Sequence, residues 1–499
     1  MRKTVISTLS NTPRTPAISR DEIRAVYAQG EDAVIALVEG LLARISGLEE
    51  RVEKLENQQS KHSGNSSKPP SSDGFKPKPK SLRSKSERRS GGQEGHPGQT
   101  LEWSEEVEQV ERHPVKTCTQ CGTSLTSVAV AEWEVRQVRD LAPIQVIVTE
   151  HQAEVKCCPC CQTINRGEFP QDVNTIVQYG ANLKGLMLYL LDYQLLPSAR
   201  VQELLSDVLG CEISEGTLYT SRQRCFAELA SVEVGIQQQV AQAEVLHCDE
   251  TGLRVNGKLW WLHVASTDSL TFYFVHTKRG KAAMDAMGIL PEYDGISVHD
   301  GLKSYEQYDC DHALCNAHHL RELAFITERY QQAWAEEMFI LLCDLKQQVD
   351  DAKALSETAL SEELMRWFVD RYQTLIVAGL AANPAPDPPP PDAVKSRGRP
   401  KQSPAKNLLD RLQLHQAQVL AFMTDFRVPF DNNQAERDLR MMKLKQKISG
   451  GFRSVEGAQM FGRIRGYIST LKKQGLNVLE ALKQVFLGNP TMPTILHPE

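Results

Sequence analysis

The chain has 499 residues, more than one hydrophobic core usually organises, so several domains are expected. A hydrophobic fraction of 41% and a charged fraction of 24% suit a soluble globular protein, and a formal charge of -6 argues mildly against nucleic acid as a partner of the whole surface. The N-terminus has no apolar core of signal-peptide length and the most apolar stretch, at 185–191, is far too short to span a bilayer, so a cytoplasmic chain is expected; its 12 cysteines then point to metal binding or burial and not to disulfides.

Val38, Leu41, Ile45, Leu48, Val52 and Leu55 alternate spacings of three and four, the a/d pattern of a coiled coil over 31–57. A homo-oligomer, at least a dimer, follows from it. A short amphipathic helix packed on its own domain is the alternative, and Gly40 and Gly47 weaken the helix. From 58 to 98 the composition turns to Ser, Pro, Lys, Arg and Gly, too polar to offset its ordering entropy, and predicts a flexible basic linker. Such a tether suits DNA phosphates or a plain solvated spacer.

Residues 99–170 read as short strands, at 128–130, 133–138 and 145–149, between two Cys-x-x-Cys pairs. Cys118 with Cys121, and Cys158 with Cys161, each present two thiolates to one tetrahedral Zn²⁺, the signature of a closed structural site. Cys157 and Cys160 are the shifted alternative to the second pair; the proline inside Cys158-Pro-Cys-Cys161 favours a turn there. Over 171–243 the period becomes helical. A helix ending at Gly210 and a second one capped by Ser214 outline a helix-turn-helix, a candidate DNA-binding domain.

From 244 the period becomes two. Strands at 245–249, 259–265 and 270–276, a helix at 281–287, and strands at 296–300 and 313–315 follow the order of a ribonuclease H-like sheet. Helical patterns fill 318–425, broken by a proline-rich loop at 384–391. Helices resume over 426–488, before a tail at 489–499. The expected fold is multidomain α+β: coiled coil and linker, zinc-binding β-rich domain, helical domain, and a ribonuclease H-like α/β core (244–317 and 426–488) split by a helical insertion.

Within that order three carboxylates stand out. Asp249 closes the run Glu244-Val-Leu-His-Cys-Asp249, Asp300 closes Gly295-Ile-Ser-Val-His-Asp300, and Glu436 opens a helix. Each has an ordinary reading, Asp249 and Asp300 as turn residues and Asn433-x-x-Glu436 as a capping box. Together, on the first strand, after the fourth and on a following helix, they suit two divalent ions acting on a phosphodiester. The basic residues after Glu436 (Arg437, Arg440, Lys443, Lys445, Lys447 and Arg453) suit contacts with DNA phosphates. Cys315-x-x-His318 offers two ligands of a half metal site, and with only two a structural role or one at the edge of the active site is favoured over zinc.

Asn65-Ser-Ser-Lys-Pro-Pro-Ser-Ser-Asp73, Gly91-Gly-Gln-Glu-Gly-His-Pro-Gly98, His247-Cys-Asp-Glu-Thr251, Asp431-Asn-Asn-Gln-Ala-Glu-Arg437 and Ser449-Gly-Gly-Phe-Arg-Ser454 resemble the insertion sequence 66 family of bacterial transposases. The resemblance implies a zinc-finger, DNA-binding N-terminal half joined to a DDE transposase core. It implies Asp249, Asp300 and Glu436 as the catalytic triad and Mg²⁺ as the cofactor, two ions with Mn²⁺ as a substitute. The implied partners are DNA (the element's terminal inverted repeats and the target) and small accessory proteins. The implied reaction is hydrolysis at the element ends, then transfer of the freed 3′-OH into target DNA; the alternative is a DNA-binding regulator derived from a transposase, without catalysis. Cys248, where the family has an apolar neighbour of the first Asp, suggests sensitivity to oxidation.

Overall fold

The computed structural model describes residues 19–66, 101–142, 144–170, 172–385 and 402–494. The linker expected at 58–98 lies outside the described residues from 67 on, and the proline-rich loop from 386 on. Two compact units emerge. The first gathers 19–66, 318–345, 366–385 and 402–414; the second holds the remaining described residues.

Helix α1 (Arg20–Tyr27) starts at a capping box: Ser19 Oγ accepts the Glu22 amide at 3.2 Å and Glu22 Oε2 accepts the Ser19 amide at 2.7 Å. Helix α2 (Glu31–Ser60) runs for 30 residues straight through Gly40 and Gly47. The chain does not loosen at 58 as expected. After α2 it turns back, with Asn65 buried and its amide donating to Ser60 O at 3.0 Å and to Glu328 Oε2 at 2.7 Å. A buried carboxamide with satisfied donors fixes a turn that composition alone reads as linker.

In the zinc region the strands are β1 (Val155–Cys157) and β2 (Ile164–Arg166), an antiparallel pair around the second knuckle. No strand forms at 128–130, 133–138 or 145–149. Val128, Val130, Trp133, Val135, Val138 and Val148 are all exposed, so their alternation has neither a partner strand nor a core to face. Helix α3 (Ala181–Leu188) passes into a π-helical turn at Tyr189–Tyr193. Helix α4 (Ser198–Leu209) ends on Gly210 in the left-handed region, and α5 (Glu215–Glu228) begins where Ser214 Oγ accepts the Thr217 amide at 3.1 Å, followed by α6 (Ala230–Ala241). Val201, Leu205, Leu218, Val232 and Ile236 bury the inner faces of these helices in one core.

The second unit's sheet has five strands: β3 (Val245–Val255), β4 (Lys258–Ser266), β5 (Thr271–His276), β6 (Ile296–His299) and β7 (Asp311–Leu314). Their order is β5-β4-β3-β6-β7, antiparallel on the β4 side of β3 and parallel on the β6 side. Helix α7 (Lys281–Met287) lies between β5 and β6 in sequence. Strand β3 does not stop at Asp249 but continues to a tight turn at Asn256-Gly257, both with positive φ, which matches the twist of a two-residue hairpin.

Among the described residues, the chain continues after β7 with α8 (Asn316–Tyr330), α9 (Ala333–Ala354), α10 (Glu362–Ala382), α11 (Pro404–Leu414), α12 (Gln416–Val419) and α13 (Ala421–Thr424). In the first unit α10 and α11 meet so closely that a Cβ on Gly379 would stand 2.5 Å from a Leu409 methyl. The chain closes with α14 (Asn433–Ser449), α15 (Val455–Lys473) and α16 (Val478–Phe486). Leu253 and Val255 of β3, Leu262 and Val264 of β4 and Tyr273 of β5 make one apolar sheet face, which takes Ala435, Leu439 and Met442 of α14 and Phe461 of α15.

Candidate active site and metal centres

Alternation along β3 puts Asp249 on the same face as Leu253 and Val255, the face that α14 covers. Parallel pairing of 245–247 with 296–298 then carries Asp300, just beyond β6, to the level of Asp249. One carboxylate oxygen each from Asp249, Glu250 and Asp300 lies within 4.8 Å of the others. Glu436 belongs to the first turn of α14 and stands outside that group, with an oxygen within 4.8 Å of Cys315 Sγ, yet its charge still acts on Asp249.

The electrostatics single out Asp249. Burial, then the neighbouring Glu250 and the charges of Asp300 and Glu436, raise its pKa to about 8, although the Glu250 amide donates to Oδ1 at 2.8 Å. Glu250, which sequence reasoning passed over, has its own pKa raised by burial and by Asp300. Arg279 Nε at 2.7 Å and Tyr305 OH at 2.8 Å donate to it. The same guanidinium lies 3.9 Å from Asp300 and 5.1 Å from the centre of the Trp261 ring. The run Asp249-Glu250-Thr251 contained a hint of Glu250; nothing local marks Arg279.

Asp300 is fixed by its own turn, Oδ1 accepting the Leu302 amide at 3.0 Å. Beside it, His299 Nδ1 accepts the Gly301 amide at 3.1 Å. His299 Nε2 therefore carries the proton that it donates to His312 Nδ1 at 3.1 Å, and His312 Nε2 in turn donates to Tyr308 O at 3.1 Å. Burial, then the neighbouring His312, holds the His299 pKa down at about 3, so that ring is neutral.

The expected capping box at Asn433 does not form. The N-cap is Asn432, and its side chain makes no cap hydrogen bond because it is engaged elsewhere. Its Oδ1 accepts from His247 Nδ1 at 2.9 Å, its Nδ2 donates to Cys248 O at 2.7 Å, and its backbone amide donates to Cys315 Sγ at 3.1 Å. One buried residue thus ties the start of the Glu436 helix to the strand of Asp249 and to the end of β7. Cys248 is buried and its thiol is pushed up to about 12 by burial, so the expected oxidation sensitivity is not supported.

At 100° per residue, Glu436, Arg440, Lys443 and Lys447 form one stripe along α14, and the three basic residues are exposed. Arg437 is turned about a quarter-turn away and bonds Gln434 at 2.6 Å. Lys445 faces the opposite side, its pKa lowered by burial with Asp192 and Arg222 as its charged neighbours, so it does not join the stripe. Arg453 is exposed just past Phe452, whose amide donates to Arg254 O at 2.7 Å while its carbonyl accepts from Asn256 at 2.8 Å. Gly451 permits that approach, since a Cβ there would sit 2.7 Å from Arg254 O.

The two cysteine knuckles are copies of each other. The amides of Cys118 and Cys158 donate to Thr123 O and Thr163 O, both at 2.9 Å. The amides of Gly122 and Gln162, both in the left-handed region, donate back to the carbonyls of Cys118 and Cys158 at 3.0 and 2.9 Å. The pKa of Cys121 and of Cys161 is lowered to about 7, chiefly by the hydroxyls of Thr123 and Thr163. Cys157 belongs to β1, outside this repeated geometry. Each knuckle fits half of a zinc site; among the described residues no three of these thiols come within 4.8 Å of one another.

A family model described as "Transposase IS66 family" matches residues 177–460, more than half of the chain. The chain belongs to the IS66 family of transposases. A second model, "zinc-finger binding domain of transposase IS66", matches residues 115–162, which span all four knuckle cysteines of this transposase. A family of unknown function matches residues 10–102, and no curated protein matches the chain. The family matches support a transposase role, DNA binding and structural zinc. No helix among the described residues is long and apolar enough to cross a membrane.

Proposed function

We propose that this transposase cuts and joins DNA at a DDE site made by Asp249, Asp300 and Glu436, on a ribonuclease H-like core of 244–317 and 426–488. Strand order with β3 central, antiparallel on one side and parallel on the other, supports that fold. The observation that carries the site is the meeting of carboxylate oxygens from Asp249, Glu250 and Asp300 within 4.8 Å of one another, where burial and like charge raise the proton affinity of Asp249. Mutual repulsion of this kind is relieved by divalent cations, which suits Mg²⁺ or Mn²⁺. Two such ions, when bound, supply the Lewis acidity that activates water or a 3′-hydroxyl and steadies the leaving oxygen.

The chain's own residues do the rest. Asp249, within β3, and Asp300, at the end of the neighbouring β6, face the reacting phosphate, and Glu436 faces it from α14. Asn432 holds that helix in place. Arg440, Lys443 and Lys447 continue the line of Glu436 and contact phosphates beside the reacting bond, with Arg437 and Arg453 at the flanks. Cys118, Cys121, Cys158 and Cys161 close on one Zn²⁺, making 99–170 a zinc domain that, with the helical domain 171–243, binds element ends. The helices of 318–425 are an insertion.

Labelled element-end DNA incubated with the purified chain and Mg²⁺ should give both nicked and joined products. Asp249→Ala, Asp300→Ala and Glu436→Ala should each abolish both while leaving end binding intact in a gel-shift assay. Cutting at the ordinary rate by any of the three would remove that residue from the triad.

A further inference from the structure

Arg279 stands between the acidic cluster and solvent, and only part of its guanidinium is engaged. It belongs to the short link between β5 and α7, whose backbone is pinned from several sides. His263 Nε2 of β4 donates to Lys278 O at 3.1 Å, and the Lys278 amide donates to His276 Nδ1 at 3.1 Å. Gly280 passes so close to the segment after β6 that a Cβ there would stand 2.9 Å from Ser304 Oγ. A backbone held in this way presents its side chain in one direction.

The side chain is fixed as well. Nε donates to Glu250 Oε1 at 2.7 Å, the centre of the Trp261 ring lies 5.1 Å from Cζ, and Nη2 is 3.9 Å from Asp300 Oδ2, too far for a hydrogen bond. Among the described residues the Nη atoms donate no hydrogen bond, and the side chain stays 44% exposed. The edge formed by Nη1 and Nη2 thus keeps its donors beside Asp300. Glu250, by contrast, is fully committed. Alternation along β3 puts it on the opposite sheet face from Asp249, its side chain is buried, and Tyr305 OH donates to its second oxygen at 2.8 Å. A buried carboxylate calls for a cation, but a plain counter-ion needs neither a half-exposed fork nor a place next to Asp300. Two parallel N–H groups on a planar fork match two oxygens of a phosphate.

We infer that Arg279 is a phosphate-contacting residue of the active site and that Glu250 is the residue that positions it. The inference rests on the reading of Asp249 and Asp300 as the place of phosphodiester chemistry. The Nη edge of Arg279 takes a non-bridging oxygen of the scissile phosphate and stabilises the charge that builds there in the transition state. Glu250 serves the reaction through Arg279 and takes no metal ion.

Element-end DNA with a neutral methylphosphonate at the scissile position tests this, using the full-length, zinc-loaded chain and Ca²⁺ to hold the complex without turnover. On the natural phosphate Arg279→Ala should weaken binding roughly tenfold, and on the methylphosphonate the variant and the parent should bind alike. Arg279→Lys, which keeps a cation beside buried Glu250 and so protects the fold, should fall between them on the natural phosphate and match them on the analogue. In Mg²⁺, single-turnover cleavage by Arg279→Ala should drop roughly a hundredfold with all DNA bound. Electron paramagnetic resonance of Mn²⁺ on the DNA-free chain should count as many ions on Glu250→Gln as on the parent. The same change on both DNAs, or none on either, would overturn the role of Arg279 alone, and a missing Mn²⁺ ion on Glu250→Gln would overturn that of Glu250. A parent chain indifferent to the methylphosphonate would remove the scissile phosphate from this site, and the triad reading with it.

Discussion

Asn432 ties three elements of the candidate site together, and its work is invisible in the local sequence. Its three hydrogen bonds reach residues 184, 185 and 117 positions away. Asn432→Ala leaves the His247 donor and the Cys248 carbonyl unpaired in a buried setting, at a cost of about 1–3 kcal/mol each. Thermal denaturation should show the loss, and strand cleavage should fall further than stability does, because the helix of Glu436 loses its registration. The approach of Asp249 to Asp300 was legible because strand alternation and strand order are local signals; the place of Glu436 outside their group, and the contacts of Glu250, Arg279 and Asn432, were not, because they depend on residues far along the chain. His263 supplies a pH prediction. Burial lowers its pKa from 6.5 to about 4, and its Nε2 donates to Lys278 O at 3.1 Å. The folded state refuses a proton that the unfolded chain accepts, so this stability is complete above about 6.5 and is lost as pH falls toward 4, by about 1.4 kcal/mol per pH unit. Asp249 titrates in the opposing sense, so the clean measurement is a difference. His263→Gln, which keeps a donor for Lys278, should flatten the pH dependence of denaturant unfolding between 6.5 and 4 by that slope.

Among the elements, the helices were read well and the strands only where a partner existed. The alternation at 133–138 looks like that of β4, but β4 lies between two neighbours while 133–138 has none. The length of β3 was missed although Asn256-Gly257 marks a hairpin turn, since Asp249-Glu250-Thr251 resembles the beginning of a loop. That hairpin reaches the segment after α14 through the bridge between Val255 and Phe452. Gly451→Val should break this contact, because its side chain would collide with the Arg254 carbonyl. The expected outcome is a loss of about 1–3 kcal/mol in denaturant unfolding, as for other overpacked sites, with Gly451→Ala intermediate.

For the whole molecule, the zinc region stands apart in its energetics. Its apolar side chains, from Leu101 and Trp103 to Val148 and Phe169, remain exposed, so hydrophobic burial contributes little to its order. Metal binding must then supply the folding free energy. A strong chelator should raise amide exchange throughout 115–162 and weaken end binding, while the melting transition of the five-stranded sheet stays in place; simultaneous loss of both would show that the regions fold as one. Where the chain leaves β7 and where it enters α14 lie side by side: the Asn316 amide donates to Phe430 O at 3.1 Å, next to the link between Asn432 and Cys315. Exit and entry are thus pinned to each other, and the start of the Glu436 helix keeps its place beside the strand of Asp249 through one buried asparagine.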